Sequence, residues 1–152
     1  MPTRTAHARW QGSLDEGSGN VDFGGGLFNA PYSFVSRFED SSGTNPEELL
    51  GAAHAGCFAM ALSLLLGDAG HVPDYIDVTA SITISPRDGA FSIVKSHLKC
   101  EARVPGLSEV DFARLAERAK VDCPVSKALA GTSITLDAAL QSRSHEAQER
   151  EK

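Results

Sequence analysis

Apolar and polar positions change rhythm several times along this chain, and each change marks an element. From about Thr5 to Val35 short apolar runs alternate with Gly-rich breaks, which predicts short strands with Trp10, Val21, Phe23 and Phe34 facing inward. Gly24, Gly25 and Gly26 read as a turn, because no strand-to-helix phosphate loop follows them. The first helix has a clear start: Asn45 can cap, Pro46 suits the first helical position, and Glu48 stands three residues after the cap. Gly67 and Gly70 mark its end. Two alternating stretches follow. Ile76, Val78, Ala80, Ile82 and Ile84 share one face of the first; Val94, Leu98, Cys100, Ala102 and Val104 share one face of the second. Pro105 and Gly106 break the chain, and Ser108 caps a second helix whose buried side would hold Val110, Leu115 and Ala119. Pro124 interrupts that pattern but can open a short new helix. Ile134, Leu136, Ala138 and Leu140 make a last alternating strand. Strands, helix, strands, helix and strand in that order predict an α+β fold in one domain over 1–141, with a polar tail over 142–152.

The first helix raises a question of surroundings. Leu49 to Leu66 are 18 residues without Asp, Glu, Lys or Arg, a length at the threshold for a membrane span. The run is rich in Ala, Gly and Ser, contains His54 and lacks positive flanks, so no membrane crossing is expected. A helix that is apolar all round must be buried all round. A domain of this size encloses one helix with difficulty, so the helix is expected to pack against a sheet and also against a partner subunit.

Charge and cysteine content narrow the function. A net charge of −6 argues against nucleic acid as a partner. Three cysteines are too few, and odd in number, for a secreted disulfide scaffold. The N-terminal MPTRTAHARW has no apolar core like that of a signal peptide. A cytoplasmic protein with functional thiols is the simplest expectation.

Cys57 and Cys123 stand on separate helical signals, and two such thiols can form a reaction pair in which one is oxidised and the other condenses with it. The reactive form is the thiolate, so Cys57 needs a group that lowers its pKa. It sits mid-helix, far from the N-terminal dipole, and Arg37 in SFVSRFED is the most plausible cation. A small buried core residue is the other reading of Cys57. Cys123 precedes Pro124 at the expected cap of the short helix, where backbone N–H groups favour a thiolate; a cysteine merely tolerated at a junction is the alternative. Cys100 points to the apolar face of its strand and reads as core. A metal site built from His54, Cys57, His71 and Cys123 lacks the paired ligand spacing of structural zinc, so no metal is expected; His54 reads as a packed or hydrogen-bonded helix residue. Glu47 and Glu48 suit a first helical turn. Ten residues at 1.5 Å each put Glu47 about 15 Å from Cys57 on a straight helix. Glu47 could therefore serve the thiol only if the helix were interrupted or the acid came from another subunit, and the second is favoured here.

RFEDSSGTNPEELLGAAHAGCFAMALSLLLG, VDCPVSKAL and the closing ITLDAAL closely resemble the OsmC/Ohr family, and its OsmC (osmotically inducible protein C) branch in particular. The resemblance runs from about Ala8 to Leu140. It implies strands flanking a long central helix in an intertwined homodimer with two active sites at the subunit interface. It also implies a stress-related, thiol-dependent peroxidase that prefers organic hydroperoxides. By position, Cys57 matches the peroxidatic cysteine, Cys123 the resolving cysteine, Arg37 the arginine of the RFE motif, and Glu47 the acid that pairs with it. No role carries over to Cys100. The implied reductant is an external dithiol of lipoyl type, with no bound cofactor. Phe34, Phe38, Phe58 and Met60 are candidates for an apolar substrate wall. A non-catalytic stress protein that binds a small ligand in the same pocket is the competing reading.

Overall fold

Three short strands open the chain, β1 (Ala6–Gln11), β2 (Ser18–Phe23) and β3 (Phe28–Tyr32), and form an antiparallel sheet in that order. The three glycines after β2 form one tight 3₁₀ turn, as the sequence suggested. The chain then enters α1 (Phe34–Phe38), a single helical turn. Ser33 and Ser36 cap it reciprocally, each hydroxyl accepting from the other residue's backbone N–H. Arg37 therefore lies on a short helix, in a stretch where the sequence pattern predicts none.

The long helix α2 (Pro46–Asp68) starts as its signals predict, with the Asn45 side chain accepting from the Glu48 N–H at 2.8 Å. It continues past Gly67. Its last carbonyls are closed by His71 N–H donating to Leu66 O, with Gly70 at φ +85°. This computed structural model describes residues 1–142. The chain divides into two compact units, Met1–Leu49 and one from Leu50 onward, and α2 begins in the first and runs on into the second. Beyond Ser142 the expected polar tail lies outside the described residues.

The second unit contains β4 (Tyr75–Arg87), β5 (Ala90–Arg103), α3 (Glu109–Asp122), α4 (Pro124–Ala128) and β6 (Ser133–Leu140). β5 is central, antiparallel to β4 and parallel to β6. The parallel pair needs a crossover, which α3 and α4 supply. Register places Val78, Cys100 and Ala138 side by side, with Ala80, Leu98 and Leu136 in the next row. These rows form the apolar face, as the alternation predicts, and pack with Phe58, Leu62 and Leu66 of α2 and with Phe112, Leu115, Ala116 and Ala119 of α3. Cys100 lies in this core, where burial, reinforced by Asp77 and Glu101, pushes its thiol up to about 11. Small residues bring α2 close to the sheet: a Cβ at Gly51 would stand 3.2 Å from the Ala80 carbonyl oxygen. Ser108 caps α3 through the Asp111 N–H, but Val110 is 78% exposed and Phe112 takes the core position instead.

Candidate active site

The first unit builds an arginine–carboxylate pair. Arg37 is in the last turn of α1 and Glu47 in the first turn of α2. Arg37 Nη2 donates to Glu47 Oε1 at 2.8 Å, and Nε donates to Oε1 and Oε2 at 3.2 and 3.3 Å. Glu47 is buried and Arg37 partly open. This forked contact fixes the plane of the guanidinium, which a lysine could not match. The connection between the two helices holds the pair in place. Ser36 Oγ donates to Thr44 O at 2.8 Å, and Asn45 Nδ2 donates to Ser36 O at 2.9 Å while its Oδ1 caps α2. One asparagine thus joins the start of α2 to the backbone of α1.

Beside Arg37 the first unit has a cavity of about 210 Å³ walled by Trp10, Leu14, Tyr32, Phe34, Phe38 and Pro46. The Arg37 guanidinium also lies 5.3 Å from the centre of the Phe38 ring. Phe34 and Phe38 thus line a cavity beside Arg37. Phe58 does not: it is fully buried in the core of the second unit, and Met60 is 76% exposed.

The second unit builds a pair of thiols. Cys57 is half-buried on α2; Cys123 is fully buried where α3 ends and α4 begins. Both are free, and the two are within hydrogen-bonding reach. Burial raises the Cys57 pKa, and the bond to Cys123 raises it further by favouring the protonated thiol. The backbone N–H of Val125 acts the other way and favours the thiolate. Cys123 occupies the expected cap of α4, yet its side chain makes no capping bond, and the N–H of that helix start is directed to Cys57. Neither group acting on Cys57 besides burial is a cation.

One part of this site is poorly visible in sequence. His54, one turn before Cys57, is fully buried, with Nδ1 2.7 Å from Ser96 Oγ and Nε2 2.8 Å from Ser126 Oγ. The hydrogen-bonded reading of His54 holds, and both ring nitrogens are engaged, so it offers no free ligand atom. Burial lowers its pKa, which favours the neutral ring. Ser96 had one signal, a lone hydroxyl on the otherwise apolar face of β5. Among the described residues no group of three or more His, Cys, Asp or Glu is placed to hold a metal ion.

A family model described as OsmC-like protein matches residues 39–138. The chain is 47% identical over 140 residues to the Peroxiredoxin OsmC of Escherichia coli (strain K12), covering 91% of this chain and 97% of that protein. It is 32% identical over 96 residues to the organic hydroperoxide resistance protein of Xanthomonas axonopodis pv. citri, covering 62% of this chain and 66% of that one. Among solved structures, an OsmC-like protein of unknown function from Vibrio cholerae matches with a TM-score of 0.73 over 91% of this chain and 100% of its own. At 16% identity that likeness is one of fold.

Proposed function

Because the chain belongs to the OsmC-like family, and with it is a cysteine-based peroxidase, we propose that it reduces organic hydroperoxides to alcohols through a Cys57 sulfenic acid and a Cys57–Cys123 disulfide. The observation that carries this reading is the pair of free thiols within hydrogen-bonding reach where α2 meets the start of α4.

The chemistry follows from the groups present. The Cys57 thiolate attacks one peroxide oxygen and the O–O bond breaks. The alkoxide that leaves takes a proton and departs as the alcohol, and Cys57 is left as sulfenic acid. The Cys123 sulfur then bonds to the Cys57 sulfur, and the sulfenic hydroxyl leaves as water with the thiol proton of Cys123. An external dithiol, of lipoyl type in this reading, reduces the disulfide and resets both thiols. A reducing cytoplasmic setting suits that last step.

Arg37 is the cation proposed to act on Cys57. Burial raises the thiol pKa, and the opposing N–H of Val125 is a neutral dipole. Arg37 would stabilise the thiolate and polarise the peroxide, while Glu47 fixes the plane of its guanidinium. Helix α2 is uninterrupted from Pro46 to Asp68, so an interrupted helix no longer explains how Glu47 could serve Cys57. The remaining expectation is a homodimer in which Arg37 and Glu47 of one subunit complete the site around Cys57 of the other.

The apolar cavity beside Arg37 supports a preference for organic hydroperoxides. Burying three CH₂ groups at about 0.8 kcal/mol each favours such a substrate over hydrogen peroxide by about fiftyfold. Peroxide consumption with a dithiol reductant tests the reading. Wild type should consume cumene hydroperoxide faster than hydrogen peroxide by about that factor. Cys57→Ser should consume neither, and Cys123→Ser should form no internal disulfide and lose activity during turnover through irreversible oxidation of Cys57. Undiminished turnover in Cys57→Ser would remove that residue from the chemistry.

A further inference from the structure

We propose that His54 and Ser126 form a positioning clamp that holds the resolving thiol Cys123 against Cys57. This rests on the two-cysteine reading above and adds two residues to it, neither of which touches the reacting atoms in this account.

The spacing of the residues carries the inference. His54 and Cys57 are three apart on α2 and share a face. Cys123 and Ser126 are also three apart, the first at the cap of α4 and the second inside it. The His54–Ser126 bond, at 2.8 Å, and the Cys57–Cys123 contact are thus two ties, one helical turn apart, between the same two helices. Ser96 completes the arrangement by fixing the other ring nitrogen to β5 at 2.7 Å. A neutral imidazole has one donor and one acceptor nitrogen, so two serine hydroxyls satisfy it fully.

The short helix needs such a tie. Five residues form no stable helix alone, and the Cys123 side chain supplies no capping bond. Burying an imidazole and two hydroxyls has a desolvation cost that an apolar trio would avoid. What the polar trio supplies is direction, since hydrogen bonds fix orientation and apolar contacts do not.

The clamp acts on one branch of the reaction. Disulfide formation needs the two Cβ atoms about 3.5–4.5 Å apart with a dihedral near ±90°. In that step the Cys123 sulfur bonds to the Cys57 sulfur, the Cys57 S–O bond breaks, and water leaves carrying the Cys123 proton. No outside oxidant is needed. The competing branch is a second attack by hydroperoxide, which converts the Cys57 sulfenic acid to sulfinic acid and releases another alcohol. That branch does not use the Cys123 sulfur. Loosening the clamp should therefore shift the partition toward sulfinic acid.

The test is a titration of reduced protein with excess cumene hydroperoxide and no reductant, read by intact mass. The reading is the peroxide concentration at which half the protein carries sulfinic acid instead of the disulfide. Both branches start from the same sulfenic acid, so this midpoint is independent of the rate of the first attack. A misplacement on the ångström scale costs up to about a hundredfold in rate, so Ser126→Ala and His54→Asn should each lower the midpoint by about tenfold or more. Ser126→Thr, which keeps the hydroxyl, should restore it to within about threefold of wild type on the same scale. Folded Ser126→Ala and His54→Asn proteins with the wild-type midpoint would overturn the clamp, even if both melt at lower temperature. A wild type that forms no Cys57–Cys123 disulfide at all would instead overturn the two-cysteine cycle, and the clamp with it.

Discussion

At Cys57 burial and the Cys123 thiol favour the protonated form, and one backbone N–H favours the thiolate. Burial comes first among these, so the thiol starts above its ordinary value. The thiolate reacts, and below its pKa each added unit of pKa costs a factor of about ten in thiolate. On the proposed role of Arg37, Arg37→Ala leaves the raised value uncorrected. Attack on cumene hydroperoxide, followed by stopped flow, should slow by about a hundredfold at pH 7. Its rate should then keep rising with pH into the alkaline range, where wild type has levelled off. Arg37→Lys should restore only part of the rate, because a point charge cannot make the forked contact with Glu47. An unchanged profile in Arg37→Ala would remove Arg37 from the site. Cys100 marks the contrast: its thiol, near 11, stays protonated and buried at neutral pH.

Between elements, the connection from α1 to α2 aims Arg37 at Glu47, and Asn45 has two tasks there, capping α2 and holding the Ser36 carbonyl. Asn45→Ala should lower stability by about 1 kcal/mol, the usual cost of a lost N-cap. It should also slow peroxide attack, because α1 loses its tie; urea unfolding and stopped flow measure the two effects. The cap was legible in sequence because it is a local signal of a few adjacent residues. So were the faces of β4, β5 and β6, since a period of two is read residue by residue. The helical character of α1 was not, because one turn is too short to show a period of 3.6. In α3 the start was legible but the phase was not: Phe112, Leu115, Ala116 and Ala119 face the core, and Val110 lies off that stripe. The His54, Ser96 and Ser126 contacts join three elements far apart in sequence, and no local pattern encodes such a meeting.

For the whole molecule, the uncharged run of α2 called for cover on more than one side. The second unit supplies one side, where Phe58, Leu62 and Leu66 meet the sheet core. Met60 and Leu64 on another face remain 76% and 64% exposed. On the proposed dimer this face is where the second subunit packs. Met60→Glu should then shift the sedimenting mass from dimer to monomer and abolish peroxide turnover together. A monomeric wild type with full activity would sink the interface site. Reduced protein treated with one equivalent of cumene hydroperoxide is read by intact mass with peptide mapping. Loss of two hydrogens and a linked peptide joining Cys57 to Cys123 are expected. An unchanged mass, or a linkage that leaves out Cys57, would contradict the two-cysteine cycle.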